Sequence, residues 1–153
     1  MIGVIAYWDY PPTIWQVAKS EKVFMNHFRL TMKVFEGTHL IMIDPDSQDP
    51  VVTDAEVSYD CVSSLEEALA LVSDDANIVF VEHSEGASSL KYFNHPEGDT
   101  YYVVGSDYSG LKIPADLPQN SDIVEIDTPT SIGFYSYIAL GIVLTDRYQK
   151  EIG

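Results

Sequence analysis

Apolar residues along this chain come in short bursts separated by polar punctuation, and the spacing within each burst alternates between two registers. The stretch IGVIAY (Ile2–Tyr7) is a continuous apolar run with β-branched members, closed by Asp9 and the Pro11-Pro12 pair, which predicts a buried strand and a turn. Over residues 13–35 the apolar positions Ile14, Val17, Ala18, Phe24, Met25, Phe28 and Met32 recur near helical spacing, with Lys19, Lys22, Arg29 and Lys33 between them. This predicts one long helix or a broken pair. HLIMID then predicts a second buried strand, and the polar residues 45–54 a loop.

Ser63 or Ser64, followed by Glu66 and Glu67, has the form of a helix N-cap ahead of the apolar spacing Leu65, Ala68, Leu69, Val72. NIVFVE, TYYVV and DIVEI predict three further strands, each ending at polar or glycine-containing sequence. Residues 131–150 read as a closing apolar helix with Arg147 and Lys150 near its negative end. Strands alternating with helices imply βα units, hence an α/β fold with a mainly parallel sheet flanked by helices. No repeat or linker interrupts residues 1–153, so a single domain is expected.

Composition narrows the functional classes. The chain is 46% apolar and 21% charged, and no apolar run approaches the roughly 18 to 20 residues that cross a bilayer. Met1 leads directly into a strand rather than a signal segment, so the expected location is the cytoplasm, with no membrane partner. Cys61 is the sole cysteine, read as a small buried apolar residue, and it excludes an internal disulfide. His27, His39, His83 and His95 have no metal-ligand spacing, so no metal is expected; His27, His39 and His95 read as surface or capping residues. The balance of 24 acidic against 8 basic residues, net −16, argues against a broad basic face that clamps nucleic acid.

Candidate chemistry concentrates in three turns that directly follow strands: EHSEG at 82–86, GSDYSGL at 105–111 and IDTPTSIG at 126–133. Ligands in open parallel sheets bind beyond the carboxyl ends of strands, where backbone amides converge. In GSDYSGL, Gly105 and Gly110 allow backbone to approach a ligand and Asp107 suits a hydroxyl or amine; equally, the glycines serve a tight turn and Asp107 a cap. Ser106 and Ser109 lack the G-x-S-x-G elbow of a hydrolase, and neither a dinucleotide fingerprint nor a phosphate loop is present.

The succession YYVVGSDYSGL, SDIVEIDTPTSIGF and IALGIVLTDRYQ resembles the SpoU (TrmH-like) methyltransferases of the SPOUT superfamily, and the order of segments matches along nearly the whole chain. That resemblance implies a deep C-terminal trefoil knot, an S-adenosylmethionine cofactor, a homodimer and an RNA substrate (tRNA or rRNA) methylated at the ribose 2′-hydroxyl. It places the cofactor on Glu82, His83, Gly105, Ser106, Gly110, Ile126, Thr128 and Ser131. Where the family carries P-x-N-x-G-N-x-x-R, this chain reads PPTIWQVAK, so Thr13, Trp15, Gln16 and Lys19 replace the two Asn, the Gly and the Arg. Further departures are Asp107 for the family Glu, Ser109 for an Arg or Asn, and Gly133 for a late Asn.

With those departures the resemblance implies Lys19 and Asp107 as catalytic residues, Lys19 as proton acceptor or phosphate anchor. Half of the positive charge, Lys19, Lys22, Arg29 and Lys33, lies on the first helical segment, the expected dock for an RNA backbone, with Trp8 or Trp15 available to stack on bases. The dimer interface is expected to draw on Trp15, Phe24, Phe28, Tyr137 and Leu140. A rival reading is a divergent knotted protein that binds cofactor or a partner without methylating RNA; a third is methylation of a small molecule or protein.

Overall fold

The structure, a computed structural model, describes residues 1–9, 21–107, 109–130 and 133–152. Among these, seven strands form one sheet: β1 (Ile2–Tyr7), β2 (Gly37–Ile43), β3 (Ser58–Val62), β4 (Asn77–Val81), β5 (Ser88–Ser89), β6 (Thr100–Val104) and β7 (Ser121–Glu125). The spatial order is β3-β2-β1-β6-β4-β7-β5, and every pairing is parallel. Three α-helices accompany it: α1 (Glu21–Val34), α2 (Leu65–Ala70) and α3 (Ser136–Ile152).

Strand side chains alternate between faces, and both faces of β1, β2, β4 and β6 are covered, which is why these four read as apolar runs. Val4, Ala6, Leu40, Met42, Val79, Tyr102 and Val104 face one layer, formed by Met25, Phe28 and Met32 of α1 with Leu140, Val143 and Leu144 of α3. Ile5, Ile41, Ile43, Phe80 and Val103 face the other, where Ala68 of α2, Val72 and Leu111 pack. The capping signal ahead of α2 holds: Ser64 Oγ accepts from the Glu67 amide at 3.2 Å, and Glu67 Oε2 accepts from the Ser63 amide at 2.8 Å.

Several expectations change. Strands β3 and β5 were not anticipated: SYDCV is an edge strand whose residues are exposed or half-buried, and β5 has two residues. Cys61, expected inside, is exposed because it lies on that edge. Trp8, Phe28 and Leu140 are wholly buried in the α1/α3 layer, so Trp8 cannot stack on a base and neither Phe28 nor Leu140 can reach a second subunit. Helix α3 begins at Ser136 and not near residue 131. Arg29 and Lys33 both bind Asp54, at 2.8 and 2.9 Å, and hold its carboxyl down to about 2. Of the four cations expected to meet RNA, these two are therefore neutralised within the chain. Lys19 and Trp15 lie outside the described residues, as do the side chains of Lys22 and Phe24.

Two histidines read as surface or capping residues are structural ties. His39 Nε2 meets Asp60 at 2.7 Å and its Nδ1 meets the Tyr101 hydroxyl at 2.5 Å. His95, its side chain 3% exposed, bridges Tyr102 of β6 (2.8 Å) and Asp146 of α3 (2.8 Å), while Arg147 donates to the same Tyr102 oxygen at 3.1 Å. Burial pushes the His95 imidazole below its ordinary value, outweighing the pull of Asp146, and Lys150 and Arg147 nearby act in the same direction as burial. The neutral ring then donates from Nε2 and accepts the Tyr102 proton at Nδ1.

A lowered native pKa means that the unfolded chain takes up the proton first. Stability from His95 is complete above the unfolded value of about 6.5 and declines as pH falls from there through the native value. Urea unfolding between about pH 7 and pH 5 is expected to show this decline, and His95→Gln to flatten it; an equal slope in the variant would contradict the assignment.

Candidate active site

Because all strands run the same way, their carboxyl ends share one edge of the sheet, and β6, β4 and β7 are consecutive there. The three turns leaving these strands are therefore brought side by side. The turn after β6 closes on itself: the Ser106 and Gly110 backbones exchange two hydrogen bonds of 3.0 Å, with Gly110 at φ +72°. Ser106 Oγ accepts from the Ser109 amide at 3.0 Å and donates to Asp9 Oδ2 at the end of β1. Burial raises the Asp9 carboxyl above its ordinary value, and Asp107 nearby adds to the rise.

Two carboxylates clasp this loop to its neighbours. Glu82, the residue after β4, receives the Leu111 amide on Oε2 (2.7 Å) and the His83 amide on Oε1 (2.9 Å). Asp107 Oδ1 receives the Ser136 amide at 2.6 Å, and so caps the first turn of α3 from another part of the chain. That cap, together with the Tyr135 carbonyl accepting from the Ile138 and Ala139 amides, sets where α3 starts. The capping alternative for Asp107 is thus met on α3, the next helix in the chain, which begins 29 residues further on and only after β7.

Of the two readings of Gly105, the tight turn is the one this geometry meets. A Cβ on Gly105 would stand 2.6 Å from the Leu111 nitrogen and 2.7 Å from the Gly110 carbonyl carbon, so the loop's own closure leaves no room there. On the β7 side, Thr128 Oγ1 donates to the Thr130 carbonyl at 2.7 Å, and Asp127 accepts from Ser89 Oγ of β5. His83 has its side chain 88% exposed, with Nδ1 2.7 Å from Glu125 Oε2.

Between these turns lies a cleft of about 440 Å³. Glu82, His83, Gly105, Ser106, Asp107, Gly110, Ile126 and Thr128 all line it, so the described residues assigned to the cofactor, together with Asp107, converge on one place, whereas Trp8, Arg29 and Lys33, expected to meet RNA, do not line it. Ser131 and Lys19 lie outside the described residues. The sequence reading missed Thr130, Phe134, Tyr135 and Ala139, which also line the cleft, and Asp9, which braces its floor through Ser106. The adjacency of Phe134 and Tyr135 to the third turn was the available signal. The volume falls in the range of small-molecule sites, and the lining mixes backbone polar groups with Val81, Val104 and Ile126. Among the described residues no cluster of three His, Cys, Asp or Glu side chains is arranged to hold a metal, and no helix is long and apolar enough to cross a membrane.

A parallel α/β sheet with a composite cleft at its carboxyl edge defines the class. Comparison with solved structures then specifies the fold. The chain is similar to the TrmH/SpoU tRNA modifying enzyme of A. aeolicus (TM-score 0.72, 16% identity, 99% of this chain and 76% of that one). It is similar also to a structure described in work on 2-OH methylation of C/U34 on tRNA (TM-score 0.67, 16% identity, 99% and 91%). A third is the SpoU methyltransferase AviRb from Streptomyces viridochromogenes in complex with the cofactor AdoMet (TM-score 0.65, 14% identity, 99% and 58%). No family model matches the sequence, and no curated protein matches it. The chain has the fold of the SpoU methyltransferases.

If the two carboxylates build the cleft, removing them costs stability. Glu82→Ala strands the part-buried Leu111 amide and is expected to lower the unfolding free energy by about 1–3 kcal/mol. Asp107→Ala is expected to cost about 1 kcal/mol, and Asp107→Asn, whose amide oxygen still accepts, to recover most of it. Denaturant titrations check both; an Asn variant as weak as the Ala variant would remove the capping role.

Proposed function

We propose that this chain is an S-adenosylmethionine-dependent methyltransferase acting on a ribose 2′-hydroxyl of RNA, tRNA or rRNA, as a cytoplasmic homodimer. The observation that carries the reading is the convergence of the three turns on one cleft, in a fold shared with a structure described as a TrmH/SpoU tRNA modifying enzyme and one described in work on 2-OH methylation of tRNA. The cleft suits the cofactor on its own terms. Its volume fits a nucleoside-sized ligand, and Glu82 and Asp107 give it a negative field that favours a sulfonium cation over a phosphate. Glu82, His83, Gly105, Ser106, Gly110, Ile126, Thr128 and Ser131 would hold it. The helix α3 would be threaded through a loop of the chain, as in a trefoil knot.

When bound, S-adenosylmethionine supplies an electrophilic methyl group on a positively charged sulfur. The chain's own task is to hold the acceptor oxygen in line with that methyl and to receive the hydroxyl proton. Lys19 is proposed for the proton or the adjacent phosphate, and Asp107 contributes by fixing the start of α3 beside the cleft. A second subunit would dock on the groove between α1 and α3, where Val34 (73% exposed) and Ile138 (41% exposed) stand in place of the buried Phe28 and Leu140.

One observation favours the rival reading, cofactor or partner binding without RNA methylation: Arg29 and Lys33 are bound to Asp54 and are poor phosphate ligands. Transfer of labelled methyl groups to unfractionated tRNA and rRNA separates the two. Activity is expected in the wild type, with Lys19→Ala losing at least about a hundredfold in rate at nearly unchanged cofactor affinity and Lys19→Arg retaining or raising it. Wild-type transfer by Lys19→Ala would remove Lys19 from the reaction; absence of transfer despite cofactor binding would favour the rival.

A further inference from the structure

Three aromatic rings form a single stack that begins at the lip of the cleft. Tyr135 lines the cleft and is 60% exposed; its ring lies parallel to that of Tyr137, with centroids 6.0 Å apart and 6° between planes. Tyr137 in turn lies on His27 of α1, 4.4 Å away at 15°, and is braced edge-on by the buried Phe28 at 6.2 Å. Tyr135 is also the residue from which α3 departs, so the Asp107 cap that starts the helix fixes its backbone. The ring is therefore held in place in the free protein and pays little ordering entropy on binding.

The charge distribution says what such a ring is suited to hold. Arg29 and Lys33 are tied to Asp54, Arg147 to Glu151 and Lys150 to Asp146, within a chain of net charge −16. With these four of the eight cations held within the chain, an RNA approaching them gains less from phosphate contacts and counterion release. Base stacking on an aromatic face is the uncharged alternative, and it serves every base because each has a π-face.

We propose that Tyr135, backed by Tyr137 and His27, is the stacking platform for the base of the acceptor nucleotide, a binding subsite beside the cofactor cleft. The inference rests on the methyltransferase reading and specifies how that site takes its acceptor: by the base, with weak dependence on salt. Tyr135 is in this sense a recognition residue, and the exposed Phe134 beside it (44%) extends the apolar lip.

The test uses the full chain saturated with S-adenosylhomocysteine and, as probes, the four nucleoside 5′-monophosphates, observed by saturation-transfer NMR. Expected is saturation strongest on base protons, an affinity changed less than about twofold between low and moderate salt, a loss of about tenfold in Tyr135→Ala and full retention in Tyr135→Phe. Unchanged binding in Tyr135→Ala, or a steep loss with salt, would overturn the platform. Calorimetry with S-adenosylhomocysteine distinguishes the source of the stacked ring: equal affinity in wild type and Tyr135→Ala supports the acceptor base, whereas a parallel loss would assign the ring to the cofactor's adenine and overturn the proposal. A change from dimer to monomer in Tyr135→Ala by sedimentation would likewise overturn it, by assigning the ring to a subunit interface. Failure of wild-type protein to bind S-adenosylhomocysteine would count against the methyltransferase reading, while base-directed binding lost in Tyr135→Ala would still sustain the platform.

Discussion

The Glu82 carboxylate is the contact on which the site depends, and it can act only because the sheet is wholly parallel. Parallel pairing sets the carboxyl ends of β6, β4 and β7 side by side, so a residue one step beyond β4 can reach the backbone of the loop leaving β6. By accepting the Leu111 and His83 amides at once, Glu82 joins two turns that are separated in sequence and leaves the cleft open between them. Asp107 does the same for the third side, holding the first amide of α3. Ion-like acceptors on backbone amides are strong and directional, so two carboxylates suffice to hold a cleft made mostly of turns.

Much of this was legible in the amino-acid order. Strands buried on both faces announce themselves as apolar runs, and β1, β2, β4 and β6 were found that way, whereas β7, with Val124 its one buried residue, was read from the shorter stretch DIVEI. The turns were legible because a polar or glycine-rich break after such a run marks a strand's carboxyl end, where ligands of parallel sheets sit. Less legible was whatever depends on lateral position. β3 is an edge strand with the mixed pattern of SYDCV, so neither its existence nor the exposure of Cys61 could be read from local hydrophobicity. Trp8 looks available just beyond β1, yet its amide bonds to the Ile43 carbonyl at 2.6 Å and its side chain fills the α1/α3 layer. His95 resembles a loop histidine, and only the long-range meeting of Tyr102 with Asp146 makes it a buried tie.

Charge gives the molecule its particular character. Acidic residues here do structural work on basic ones: Asp54 on α1, Glu151 and Asp146 on α3. These carboxylates occupy four of the eight cations of the chain, and so reduce the electrostatic handle by which an RNA-binding surface ordinarily gathers its substrate. A cleft bordered by Glu82 and Asp107 is hospitable to a cation, and an aromatic lip to a base. The departures from the SpoU pattern between residues 11 and 19 point in the same direction, away from a planar bidentate grip on phosphate.

The central claim is that the turns clasped by Glu82 form a cofactor site, and titration of S-adenosylmethionine onto the full chain by calorimetry tests it most directly. The account predicts one saturable site per chain, competed by S-adenosylhomocysteine and weakened more than about tenfold by Glu82→Ala, which loosens two walls of the cleft together. Heats of dilution alone in the wild type, or an affinity untouched by Glu82→Ala, would contradict it.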